Sequence, residues 1–466
     1  MLLTRMAGST PVDSRQVANM RFPFGPAPAL MLALSLASGI WLGAQNRTVK
    51  KADLVFWTFS TTHYDAYLKA LPKFQKAHPD KVIDVQLVSG TGLPQRLQAA
   101  FQAGLTGDVP DVCEIEISNA GTFFRGPVEH VGFWDITDTL KAEGLDKRII
   151  GARFTPYTYK GRIFGLPHDV HPVMLAYNRE AFTELGLKPE NLTTWDSFIA
   201  AGKKVRKPGD RYITEFSDSG VDQLMTILLQ KGGGLFDANG NVTFDDEIGL
   251  ETLLWYIPLV ADKQESQIAS SLSSSFGQVM TQALEDEYFL TVVTPDWRSK
   301  QHETNVGKLS GKMGLMPLPT FTGNPRKTST WGGTMLGITR KCVDKSLAWD
   351  FAKFLYLNNE DLAERYSETY ILPPVPDAWN EPAFDQAYAF YGGQRIGRDY
   401  ATLALDVPSQ YTSPFQDVAK GKFGQVLIAG VAHYSKNGPN GLRDFVAHAL
   451  KSRADEVRKR IARNPF

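Results

Sequence analysis

The sequence predicts an α/β protein whose sheets are mostly parallel, flanked by helices and divided between more than one globular unit. Three observations carry that prediction. Strand-like apolar runs alternate with helically spaced ones along most of the chain, the pattern of sheets covered on both faces. At 466 residues the chain is longer than one ordinary core serves. The stretch from Lys160 to Glu184 reads as a strand, a polar bend and a second strand, which suits a chain leaving one lobe and entering the next. A composition of 43% hydrophobic and 21% charged residues is that of a globular protein. The formal net charge of zero removes the electrostatic case for nucleic acid or an anionic membrane surface as partner.

At the N-terminus, Arg5, Arg15 and Arg21 precede an uncharged stretch from Phe22 to Ala44 with its apolar heart at Ala29 to Leu42. That run is short for a bilayer span and carries small residues near its end, so residues 1–44 read as a signal peptide. An uncleaved anchor is the competing reading. No cysteine lies near the cleavage point, so no lipid anchor is expected, and the exported protein is expected in the periplasm. Cys113 and Cys342 are the only cysteines. Export permits a disulfide between them, and two buried free thiols fit equally well.

Along the chain, Leu54-Val55-Phe56-Trp57 suits a buried strand. Tyr64, Tyr67, Leu68, Leu71 and Phe74 follow at helical spacing, with Pro72 expected to bend or interrupt that helix. Val82 to Val88 is the next strand, Leu93 to Phe101 a helix, and Asp111 to Ile117 a third strand. Lys160-Gly161-Arg162 suits a hairpin turn, Ile163 to Leu166 a strand stopped by Pro167, and Val173 to Tyr177 a strand closed by Asn178 at a helix start. Thr193 to Asp196 reads as a capping box. Gly232-Gly233-Gly234 lacks the Lys-Ser/Thr of a phosphate loop and reads as a helix stop, and Asn239-Gly240 as a hairpin turn. Met313 to Leu318 and the run after Trp331-Gly332-Gly333 are further strands, and Ser346 to Leu357 a helix.

The order of several features resembles family 1 extracellular solute-binding proteins of ABC importers over nearly the whole exported chain. They are the strand ending in Trp57-Thr58-Phe59, the strand start Pro110-Asp111-Val112, and the apolar run ending in Tyr177-Asn178 followed by Phe182 and Glu184. Then come Gly-Gly-Gly-Leu-Phe-Asp at 232–237, Pro317-Leu318-Pro319, Trp331-Gly332-Gly333 and Tyr370-Ile371-Leu372-Pro373-Pro374. Met174 and Ala176 depart from the family's pattern. The resemblance implies a two-lobed periplasmic-binding-protein fold of type II. Residues 45–168 with 326–359 would form one lobe, and 169–325 with 360–466 the other. Both cysteines would then fall in the first lobe. It further implies a monomer that holds solute in the interlobe cleft and delivers it to the membrane permease subunits of an ABC importer.

A sugar presents hydroxyls at its rim and C–H patches on its faces, so its site calls for carboxylates, amides and Arg beside aromatic plates. Candidates are Trp57 at the end of the first strand, Glu116 at the end of the third, and Asp169 and His171 at the crossover. Trp297 and Arg298 resemble the family position that supplies an aromatic plate from the second lobe. Trp331, Gly332 and Gly333 offer an aromatic beside open backbone amides, and Tyr370 lies in a loop that completes the cleft in the family. His168-Asp169-Val170-His171 does not aim both rings together on an extended segment, so no metal and no cofactor are expected. The set leans towards a neutral mono- or oligosaccharide. A polyol phosphate, a polyamine or a metal is the alternative cargo. An exported carbohydrate-active enzyme using Glu116 and Asp169 as acid and base is the remaining one, although no nucleophile elbow, zinc-protease helix or phosphate loop is present.

Overall fold

The computed structural model describes residues 30–35, 52–105, 109–272 and 274–464. It divides the chain into two units, Met1–Lys51 and Ala52–Phe466. Of the first, the described part is a short exposed helix at residues 30–35, so most of the expected signal peptide lies outside the described residues. Among the described residues no helix is long and apolar enough to cross a membrane.

In the second unit the strands are, in chain order, β1 (Leu54–Thr58), β2 (Ile83–Leu87), β3 (Val112–Glu116), β4 (Thr158–Tyr159), β5 (Arg162–Ile163) and β6 (Leu166–Pro167). They continue with β7 (Val173–Asn178), β8 (Tyr212–Glu215), β9 (Ala269–Ser270), β10 (Phe289–Pro295), β11 (Met313–Pro317) and β12 (Thr334–Ile338). The helices that matter for the site are α1 (Thr61–Ala77), α2 (Gly92–Gln102), α3 (Trp195–Val205), α4 (Asp222–Gln230) and α5 (Glu247–Ala261). With them go α6 (Asp296–Asn305), α7 (Lys345–Leu357), α8 (Asn359–Thr369), α9 (Gln416–Asn437) and α10 (Leu442–Arg463).

Two five-stranded sheets result, ordered β2-β1-β3-β12-β6 and β11-β7-β10-β8-β9. In the first, β1 pairs parallel with β2 and β3, while β12 runs antiparallel to β3 and β6. In the second, β8 pairs parallel with β9 and β10, while β7 runs antiparallel to β10 and β11. The parallel half of each sheet follows from the β-α-β alternation. The antiparallel half follows from strands that cross between sheets and return. Every residue of β10 is buried, so helices cover both its faces and its apolar run is continuous rather than alternating.

The first sheet packs Leu54, Phe56 and Val112 against Phe351 and Leu355 of α7 on one face, and Trp57, Cys113 and Ile115 against Leu97 of α2 and Phe133 on the other. The second packs Leu175 and Val293 against α3, α4 and α5, with Phe423 of α9 and Val446 of α10 closing that layer. Both cysteines are free and buried, on opposite faces of the first sheet.

Local signals came through with small displacements. Lys160 and Gly161 both take positive φ (46° and 76°), turning β4 into β5. Asn178 accepts from the Glu180 and Ala181 amides and starts a helix. Gly232, at φ 89°, follows the end of α4. The capping box is Thr194 with Ser197, one residue beyond the expected Thr193 and Asp196, because the cap hydroxyl must reach the amide three residues on. Helix α1 runs through Pro72 without a break, and Leu68, whose carbonyl loses its helical partner there, is on the exposed side where water can serve it. Within 360–466, Leu362, Val375 and Ala378 pack with the first sheet rather than the second, because α8 follows α7 after Asn358 alone and stays tethered there.

Three segments cross between the sheets side by side. Residue 172 bridges residue 330, and the Val170 amide donates to Leu372 O at 3.0 Å. Arg153 pins two of the three. Its guanidinium donates to Asp169 O (2.9 Å), Asp169 Oδ1 (3.1 Å), Thr330 Oγ1 (3.2 Å) and Gly332 O (3.2 Å).

Candidate functional site

The carboxyl ends of the parallel strands in both sheets open on one cavity of about 600 Å³, inside the range of roughly 300–1,000 Å³ usual for small-molecule sites. Such edges are where open α/β sheets bind ligands. From the first sheet come Phe59 and His63, just past β1, and Glu116 at the end of β3. The crossing segments supply His171, Trp331, Gly332 and Gly333, and the second sheet's side supplies Met225 of α4 and Trp297 of α6.

The aromatic wall is braced. Trp297 Nε1 donates to Trp331 O at 3.0 Å, and the two rings meet edge to face at 6.1 Å and 82°. Phe276 lies nearly parallel to Trp297, with centroids 6.2 Å apart and planes 24° apart. Gly332 sits at φ 100°, and a Cβ there would stand 3.1 Å from His171 Cδ2 and 3.4 Å from Trp297 Nε1. Only a residue without a side chain lets the crossing segment come so close to both.

The lysines at the cavity are paired with carboxylates. Lys420 meets Asp222 at 2.8 Å, and Lys300 meets Glu303 at 2.6 Å. Glu116 accepts from the Ser118 amide at 2.9 Å and from the Ser118 hydroxyl. Burial holds its carboxyl above the usual carboxylate range, against those hydrogen bonds.

Behind the wall lies a knot of buried ionisable groups. His171 Nε2 is 3.1 Å from Asp169 Oδ2, and its Nδ1 is 2.6 Å from Asp296 Oδ1. Burial pulls this imidazole down, but the two carboxylates outweigh it and push it up to about 9. Asp296 Oδ2 accepts from the Leu372 amide at 2.7 Å. His168, 3.2 Å from Asp169 Oδ2, is held down at about 4 by burial and by the neighbouring His63. Glu114 accepts from Thr58, Tyr67 and Tyr356 (each 2.5 Å) and lies 3.0 Å from His63 Nδ1. Burial alone would raise that carboxyl, but His63, His168 and the Thr58 hydroxyl bring it down to about 2.

His63, Glu114 and His168 place ligand-type atoms within 4.8 Å of one another. Four groups already surround the Glu114 oxygens, and the two imidazoles overlap at 4.3 Å and 35° rather than converging on a point. That is the geometry of a hydrogen-bonded hub.

Of the residues expected from sequence, the cavity gathers Glu116, His171, Trp297, Trp331, Gly332 and Gly333. Four others sit elsewhere. Trp57 is buried in the first core, its Nε1 donating to Gln86 at 3.0 Å and the Arg96 guanidinium 4.2 Å over its ring. Asp169 is buried in the knot, where Arg153, His168 and His171 occupy it. Arg298, one residue on from Trp297, is turned into the core by the helical step, where it donates to Val293 O at 3.1 Å and to Ser275 O. Tyr370 closes α8 at φ 61°, and that left-handed turn directs it into the second core, with its hydroxyl donating to Glu303 at 2.6 Å.

Sequence reading missed His63, Met225, Lys300, Gln416 and Lys420. His63 could have been found from its place just after the β1 end. The other four lie on helices whose faces carry no local mark of the cavity.

A family model described as "Bacterial extracellular solute-binding protein" matches residues 60–360. An arabinooligosaccharide-binding protein of Halalkalibacterium halodurans is 26% identical over 78% of this chain and 79% of its own length. One of Bacillus subtilis is 22% identical over 84% and 90%. In structure, the galacto-N-biose-/lacto-N-biose I-binding protein of Bifidobacterium longum, in complex with lacto-N-biose, aligns at a TM-score of 0.68 and 18% identity, over 87% of this chain and 96% of its own.

Proposed function

We propose, since the chain belongs to the bacterial extracellular solute-binding proteins, that it captures a neutral oligosaccharide in the cavity between its sheets and hands it to the permease of an ABC importer. The observation that carries this reading is an aromatic wall beside cations that are already paired. Trp297 and Trp331 offer ring faces and edges for C–H patches, while Lys300, Lys420 and Asp222 are each engaged with a neighbour. A phosphate ligand would want free cations there, and a polyamine several free carboxylates where Glu116 alone lacks a cation partner. The similarity to arabinooligosaccharide-binding proteins makes that sugar class the first to test.

The first lobe takes residues 45–168 with 326–359 and the second 169–325 with 360–466, except that Leu362, Val375 and Ala378 pack on the first sheet. A ligand that touches both stabilises the closed form by its differential affinity, and the crossing segments serve as the hinge. Export through the leader at 1–44 places the protein in the periplasm, where it works as a monomer without cofactor. Asp169 is consumed by Arg153, His168 and His171, so it is not free to act with Glu116 as an acid–base pair.

The unfolding temperature, measured with arabino-oligosaccharides, lactose, polyamines and organic phosphates, tests the reading. Ligand at a hundred times its dissociation constant adds about 2.7 kcal/mol. A rise with an intact sugar supports it. A rise only with a phosphate or polyamine, or breakdown of the sugar, refutes it.

A further inference from the structure

A second chamber, of about 180 Å³, adjoins the main cavity. The two share Met225, Leu229, Gln410 and Gln416 as a common wall. At that wall Gln416, the first residue of α9, is 5% exposed, and its Oε1 has no hydrogen-bond partner. A buried amide oxygen left without a donor is costly, so such an atom at the mouth of a chamber points to a hydroxyl or amine supplied from outside the chain.

The chamber's own lining fits a sugar ring rather than an ion. Tyr411 and Phe236 give it aromatic surface, and the Gly232–Gly234 stretch keeps one wall free of side chains. Its carboxylates are already committed. Asp237 accepts from the Asn239 and Asn241 amides, and Asp246 caps α5 through the Gly249 amide. Neither carboxylate is left without a hydrogen-bond partner.

The loop that carries Gln410 also reaches the first lobe. Thr155 Oγ1 donates to Gln410 O at 3.1 Å and accepts from the Gln410 amide at 3.2 Å, and Thr412 Oγ1 donates to Pro156 O at 2.9 Å. The chamber wall is therefore held by both lobes, and filling it bears on the same hinge as filling the main cavity.

We propose that this chamber is a subsite for a further sugar unit of the chain held in the main cavity, with Gln416 Oε1 accepting one of its hydroxyls. The inference rests on the sugar reading above and adds selection for length: chains longer than a disaccharide are preferred to the disaccharide. The test is calorimetric titration of the protein, Gln416→Met and Gly234→Leu with arabinobiose, arabinotriose and arabinotetraose. A matching galacto-oligosaccharide series is run if the first does not bind. Gln416→Met removes the acceptor at nearly constant volume. Gly234→Leu adds bulk at the chamber wall without touching the buried amide, where a Cβ has its nearest neighbour, Phe236 O, at 3.4 Å.

In the unaltered protein the triose should bind about tenfold more tightly than the biose, the size expected for satisfying one buried acceptor and enclosing one more unit. Either substitution should reduce the triose-to-biose ratio by about the same factor. Affinity independent of length, or a ratio unchanged in both variants, overturns the subsite while leaving the sugar reading standing. No binding by any sugar overturns the sugar reading, and the subsite with it.

Discussion

The knot at the hinge and the wall at Gln416 are both polar and both buried, yet they are opposite in one respect. In the knot, His171 has a carboxylate on each ring nitrogen, and Asp169 has Arg153, His168 and His171. At the chamber mouth, the Gln416 oxygen has no partner. Buried polar atoms are nearly always satisfied, so a closed set reads as architecture, and an open valence that also stands on a cavity wall reads as a place for ligand. Burial alone does not separate the two; the count of partners does.

The largest effect expected is on the knot. His171→Asn keeps a residue type that tolerates the φ of 54° at this position but removes the imidazolium between Asp169 and Asp296. Two buried carboxylates are then left facing one another, and stability measured by chemical denaturation should fall by about 3–5 kcal/mol. A loss smaller than about 1 kcal/mol would mean that the knot is not a coupled unit.

The pH dependence of stability sharpens the same side. His171 is raised to about 9, so its contribution is complete below its ordinary value of 6.5 and is lost as pH climbs towards 9. His168 is lowered to about 4, so its contribution is complete above 6.5 and erodes as pH falls towards 4. Stability should therefore crest near pH 6.5, and His171→Asn should flatten only the alkaline limb. An unchanged alkaline limb in that variant would assign the loss to another group.

On the cleft side the expected effect is on binding. Trp297→Ala should weaken a bound sugar by at least about tenfold, near 1.4 kcal/mol, with the fold intact by circular dichroism. Equal affinity would remove that ring from the site. Smallest of all should be Lys300→Met. Its pair with Glu303 is about one-third exposed on each side, and such pairs are worth roughly 0–1 kcal/mol. A larger loss of melting stability would show that the cleft rim is as integrated as the hinge.

Alternating apolar runs, the Asn178 cap, the Lys160-Gly161 turn and the Gly232 helix stop were all readable in the sequence, because each depends on neighbours within a few residues. So was the region of the cavity, because chain leaving the carboxyl end of a parallel strand must pass it.

Which side chain faces the cavity was not readable at that range. Trp57 and Phe59 are two residues apart and share strand parity, as do Glu114 and Glu116. In each pair the earlier member lies inside the sheet, packed and fully partnered, and the later one stands at or past the strand's end and lines the cavity. Trp297 and Arg298 are adjacent, and one helical step leaves Trp297 lining the cavity while the buried Arg298 guanidinium backs the same wall, 5.0 Å over Phe276 and 5.6 Å over Trp331. Local periodicity therefore settled the elements, their order and the strand ends that border the cleft. Asp296, Thr330 and Leu372 reach the knot from more than a hundred residues beyond His171, and Gln416 stays open in the same packing, so only the packing of two sheets around a shared hinge could settle those.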